Sequence, residues 1–248
     1  MKITKGAVTG AVIVVLVVVA ALAAFQSQKN RQRKEFAQRI YAQNSEVSPD
    51  TMEGLKASIA QYEKRIEQHI QDAAKTASYW KILAIRLSDK GFYGEALDAL
   101  ERAIYYSPTD PALHYHTGVA AGIMAKSQHL FPGKENTERT RYFALAEESF
   151  LRAIELDSRY LRPRYSLGVL YVFEFDRPQD AIPHLERYLE ISRGDVDAMF
   201  VLARAFYMLK NYRAALDLYD RIITLTRDDQ KRLDAQNNRQ MVMEQTHG

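Results

Sequence analysis

The sequence predicts an all-α fold of stacked helical hairpins set behind an apolar N-terminal helix. Three observations carry that prediction. The same order of small and large apolar residues recurs four times, and Ala77 and Pro111 open two such segments 34 positions apart. Helix formers dominate the chain, while Gly and Pro stand singly at punctuation points rather than in clusters. Residues 6–25 carry no charge and are almost entirely Ala, Val, Ile and Leu. Composition also narrows the function classes. A net charge of +3 is too small to point to nucleic acid. The chain has no cysteine, which excludes disulfides, Cys-based zinc sites, a thiol nucleophile and a lipidated cysteine.

The chain opens on a short basic tail, residues 1–5, with Lys2 and Lys5. The apolar run after it has the ~20 residues a helix needs to cross a bilayer core. A buried soluble helix rarely lacks a polar face for so long. A single-pass anchor in a bacterial-type cytoplasmic membrane is therefore expected. A cleaved signal peptide is the competitor, since Ala21-Leu22-Ala23 resembles a small-x-small cleavage site. Lys29, Arg31, Arg33 and Lys34 come next and oppose export. The positive-inside rule would keep the remainder cytoplasmic, whereas the short tail suits a start held inside and a periplasmic remainder, so the side stays open. Gly6 and Gly10 form a G-x-x-x-G pair of the kind that dimerises membrane helices, a pattern that arises readily in Ala/Val/Gly-rich segments.

Residues 26–48 read as a basic juxtamembrane linker, suited to anionic headgroups or simply solvated. Residues 49–76 read as a long amphipathic helix started by Ser48-Pro49-Asp50. Met52, Leu55, Ile59, Tyr62, Ile66, Ile70 and Ala73 recur at spacings of three and four. The expected role is to cap the first hairpin. A coiled-coil seam is the alternative, with His69 close to it.

The first repeat, residues 77–110, places Trp80, Leu83, Ala84 and Leu87 on one helix, turns at Gly91-Phe92-Tyr93, and places Ala96, Leu100 and Ala103 on the next before Pro108. The second, residues 111–160, has Thr117-Gly118 and Ala121, then Ala146, Phe150 and Ala153. The third, residues 161–195, has Leu167-Gly168 and Tyr171, then Ala181, Leu185 and Tyr188. The fourth, residues 196–229, has Leu202-Ala203 and Phe206, then Ala215, Tyr219 and Ile222. This pattern resembles the tetratricopeptide repeat (TPR), and the resemblance implies a solenoid of about four stacked hairpins. About 16 extra residues, 126–141, interrupt the second repeat and include Leu130-Phe131-Pro132-Gly133. They read either as a projecting binding loop or as a tolerated insertion. Thr117, where leucine is usual, suggests a less firmly packed helix. Residues 230–248 are polar and suit a terminal cap.

No catalytic constellation stands in the sequence, so no enzyme, cofactor or metal site is expected. Pro132-Gly133-Lys134-Glu135 lacks the first glycine and the Ser/Thr of a phosphate loop. His114 and His116 are two apart and point to different helix faces. The resemblance implies instead a groove lined by the first helix of each hairpin. On this register the groove holds Lys81, Ile85, Tyr115, Val119, Ile123, Arg162, Tyr165, Val169, Phe173, Phe200, Arg204, Tyr207 and Met208. Aromatic residues with arginine are what peptide-binding hot spots contain. The carboxylate clamp of some TPR domains is largely missing: Lys81 and Arg162 fit it, whereas Ile85, His116 and Ser166 do not. The expected function is a membrane-tethered adaptor or scaffold holding a peptide or helix of a protein partner. A structural subunit of a membrane assembly, packing by its convex face, loop or terminal helices and open to self-association, is the alternative.

Overall fold

The computed structural model describes residues 24–34, 51–127 and 135–247. The described residues are helical throughout except for short turns. They divide into two compact units, Met1–Ile70 and Gln71–Gly248. Residues 1–23 and 35–50 lie outside the description, and with them nearly all of the expected anchor and the Ser48-Pro49-Asp50 start signal. No helix among the described residues is long and apolar enough to cross a membrane.

In the first unit, helix α1 covers residues 24–34, all of them exposed, so the first part of the expected linker is helical. Helix α2 runs Met52–Asp89. Its start is fixed by Thr51, whose Oγ1 accepts a hydrogen bond from the Gly54 N–H at 3.0 Å. No break falls at residue 77, where the first repeat was expected to begin. From Leu55 to Lys90 the chain has neither Gly nor Pro, and the Thr76 and Ser78 hydroxyls donate to carbonyls four residues back. Nothing in that stretch ends a helix.

The second unit continues from the C-terminal part of α2 through α3 (Tyr93–Tyr106), α4 (Pro111–Ser127), α5 (Glu135–Leu156), α6 (Leu161–Phe173), α7 (Pro178–Ile191), α8 (Val196–Met208), α9 (Tyr212–Leu225) and α10 (Asp229–His247). From α3 to α10 consecutive helices pack on one another, and α6 also touches α4 and α8, so first helices lie beside first helices. Hairpins turn through left-handed residues: Gly91 at φ 82, Asp176 at φ 51 and Lys210 at φ 58. A side chain is tolerated in two of these turns at some cost.

Small residues set the helix spacing. A Cβ added at Gly118 would stand 2.5 Å from the Phe150 ring, and one at Gly168 would stand 2.5 Å from Leu185 Cγ. Ala84 and Ala203 are buried at the matching positions. The core falls into two clusters. The smaller gathers Ala84, Ala99, Leu100, Ala103, Leu113 and Ala120, with Trp80 and Leu87 packed on it. The larger runs from Ala121 to Val242.

The structure corrects three further expectations. Leu83 is 44% exposed rather than core, because it lies on the first helix of this unit's stack, with no earlier repeat inside the unit to cover it. Helix α4 is not loosely packed: Thr117 is buried and its hydroxyl donates to the Leu113 carbonyl at 3.0 Å, so leucine's place is filled at no polar cost. The insertion in the second repeat is in part helix, since α5 has 22 residues against 14 in α3, α7 and α9. Its extension is held by Arg139, which bonds Glu174 at 3.1 Å and lies over the buried Phe143 ring at 5.0 Å. Leu130 and Phe131 lie outside the described residues.

Candidate binding groove

The inner surface of the second unit is built from α4, α6 and α8, the first helices of three hairpins. Asp110 caps α4 by accepting from the Ala112 N–H at 2.9 Å. It also receives Lys81 Nζ at 2.8 Å. Burial alone would raise the Asp110 pKa, but these hydrogen bonds and the Lys81 charge outweigh it and hold the carboxyl below its ordinary range. Lys81 is thus already paired within the chain rather than standing free. Beside this pair, His116 is held below its ordinary value by burial and then by the charges of Lys81 and Arg162. Tyr115 stacks edge-on against Tyr160 at 5.4 Å and His116 at 5.3 Å.

Between α4, α5 and α6 lies a pocket of about 260 Å³. Its walls are Val119, Gly122, Ile123, Tyr165 and Val169, and its floor is Phe143 and Phe150. The mouth carries Lys126 and Glu174, ion-paired at 3.1 Å, and Arg139 adds a second cation to the same carboxylate. Gly122 leaves the space open, because a Cβ there would meet nothing within 4 Å. Tyr165 rests on Tyr188 at 5.4 Å, and burial, then the charge of Asp197, raises its hydroxyl pKa. A cavity of this size, apolar within and charged at the rim, fits one large apolar side chain.

Farther along, Phe200 lines a second and more polar cavity of about 440 Å³ with Asp197, Lys231, Asp234, Asn237 and Asn238. Lys231 closes on Asp197 at 2.6 Å. Arg204 is exposed and lies over the Tyr207 ring at 5.6 Å, and Tyr207 meets Tyr212 at 5.9 Å.

The structure therefore brings Tyr165 together with Val119, Ile123 and Val169 in one pocket. Tyr115, Phe200, Tyr207 and Met208 are half-buried and rest one side on the core. Arg162 is exposed. Phe173 is exposed at the end of α6 and lines neither cavity. Sequence reasoning missed Gly122, Phe143 and Lys126 at the first cavity and the α10 residues at the second. Gly122, four residues after Gly118, was a readable sign of open space. Phe143 lies just past the insertion and before Ala146, on a stretch of α5 that the repeat pattern does not describe. Among the described residues no group of His, Asp and Glu is placed to hold a metal.

Residues 172–236 match the family model of the tetratricopeptide repeat. The fold is a tetratricopeptide-repeat solenoid. A TPR repeat-containing protein of Borreliella burgdorferi is 22% identical over 174 residues, 70% of this chain and 74% of that protein. Among solved structures, YrrB, described as a TPR protein with an unusual peptide-binding site, superposes with a TM-score of 0.58 at 18% identity, covering 73% of this chain and 83% of that one. MamA of Desulfovibrio magneticus RS-1 gives 0.54 at 16% identity, covering 68% and 94%. At these identities the structural likeness is one of fold.

Proposed function

We propose that this protein is a membrane-tethered adaptor whose TPR groove holds an extended or helical segment of a partner protein. The observation that carries the reading is the apolar pocket at Tyr165, which the chain's own core leaves unfilled. Core positions in a stack of hairpins are covered by the neighbouring repeat. Val119, Ile123 and Val169, which line this pocket, face space instead and gain from apolar contact with a ligand. Arg162 and Arg204 are exposed on α6, which walls the pocket, and on α8 beside it, placed to meet an acidic flank of such a segment. The tether rests on the apolar run at residues 6–25 and the basic residues after it.

The test is photo-crosslinking of the full-length chain in native membranes with the probe at Tyr165, read by mass spectrometry. One dominant foreign protein is expected, and its capture should fall on Gly122→Leu, which fills the pocket from a position where an added Cβ meets nothing within 4 Å. Crosslinks within the chain alone, or capture indifferent to Gly122→Leu, would refute the groove reading. Release of the chain from membranes by alkaline carbonate would refute the tether separately.

A further inference from the structure

Met52, Leu55, Ile59, Tyr62, Ile66 and Ile70 stand between 37% and 67% exposed along one side of α2. Single exposed apolar residues are ordinary, but six in one stripe mark a contact surface. All six lie in the first unit, whereas the groove residues belong to the second. With Met52 as position a of a heptad, Ile59 and Ile66 also fall at a, and Leu55, Tyr62 and His69 at d. That is the narrow 3.5-residue repeat of a two-helix seam rather than a broad apolar face. Gly54 and Ser58 are buried along one edge of the stripe, with Ser58 at position g beside Leu55 and Tyr62.

The charged residues beside the stripe decide what covers it. Across residues 52–70, Glu53, Glu63 and Glu67 balance Lys56, Lys64 and Arg65. A helix that lies on an anionic membrane carries basic residues on its polar face, and this one is neutral. Its charges are complementary to themselves instead. If a second α2 runs antiparallel, Leu55 meets Ile66 of the other copy and Ile59 meets its Tyr62. Lys56 at position e then faces the other copy's Glu63, and two-fold symmetry makes this pair twice. A parallel pair would set His69 against His69 in the seam and leave Lys56 and Arg65 opposite uncharged residues.

We propose that α2 pairs antiparallel with α2 of a second copy of this chain, through a seam of Leu55, Ile59, Tyr62 and Ile66. From Leu55 to Ile66 the seam spans about 17 Å of helix. Its area lies at the weak end of specific interfaces, so dissociation is expected on the order of micromolar.

Because the chain has no cysteine, introduced thiols report without background. Full-length chains bearing Leu55→Cys or Ile66→Cys, in mild detergent, are oxidised separately and then as a mixture. The expected result is a disulfide dimer in the mixture and little in either alone, since the antiparallel seam places each thiol beside the other position. Adding Ile59→Glu to both chains should lower the dimer yield about ten-fold while the thermal transition of the repeats is unchanged. Dimers formed equally by each variant alone would overturn the antiparallel pairing. No dimer under any condition would overturn self-association. Protection of the thiols from a water-soluble maleimide only when anionic vesicles are present would assign the stripe to a membrane surface, and overturn the proposal too.

Discussion

At the scale of single residues, two glycines four positions apart on α4 do opposite things. Gly118 sits where any Cβ would enter the Phe150 ring, whereas Gly122 faces the open pocket. Gly118→Ala is expected to cost about 1–3 kcal/mol through overpacking. Gly122→Ala should instead stabilise by about 0.5–1 kcal/mol, the difference in helix preference. Chemical denaturation of both variants checks the contrast. Histidines give a second residue-scale prediction. Burial holds both His116 and His184 below the ordinary value of 6.5 in the folded chain, and His184 Nδ1 has no hydrogen-bond partner. As pH falls below about 6.5, the unfolded chain takes up protons first, so the folded state loses stability until its own imidazoles protonate. The melting temperature should drop between about pH 7.5 and 5.5, and the drop should be shallower in a His116→Gln/His184→Gln variant.

At the scale of elements, the turns and caps show how much the residue pattern gave away. Gly91 announces its left-handed turn in the sequence. Asp176 and Lys210 adopt the same conformation without announcing it, because the hairpin register imposes it on whatever residue stands there. Lys210→Gly is expected to stabilise the chain by about 1 kcal/mol, seen as a rise in melting temperature with the ligand groove intact. The four hairpins were legible because close helix packing demands small residues at fixed places, and Ala84, Gly118, Gly168 and Ala203 stand there. The unbroken α2 was not, because the repeat pattern marks where a hairpin's packing begins and says nothing of whether its helix continues backwards. The helical part of the insertion was illegible for a related reason. One of its stabilising contacts, Arg139 to Glu174, joins the second repeat to the third and has no local spacing to betray it. Register alone singled out Tyr165, but that it borders empty space depended on Phe143 and Gly122.

At the scale of the molecule, the second unit is a linear stack whose last repeat is closed by α10. That helix buries Ala235 and Val242 and keeps Leu233 and Met241 half out in water. Lys231 reaches Asp197 and Arg239 reaches Asp220, each at 2.6 Å. Exposed pairs of this kind add little stability by themselves, so the closure rests on the apolar contacts. Truncation before Asp229 is expected to uncover the face of α9 around Ile222, lower the melting temperature by several degrees and promote aggregation. Scanning calorimetry with light scattering measures both.

The division of the core into two clusters has a consequence in time rather than in space. Each hairpin of a stack is held by its neighbours, so opening begins where the buried patch is smallest. Here that patch is the small cluster around Leu100 and Leu113, joined to the remainder through α4. Backbone amides of α3 should exchange their hydrogens for deuterium well before those of α8 and α9. A protease at low dose should find the Ser107–Asp110 turn first, and leave the larger cluster standing as a resistant fragment.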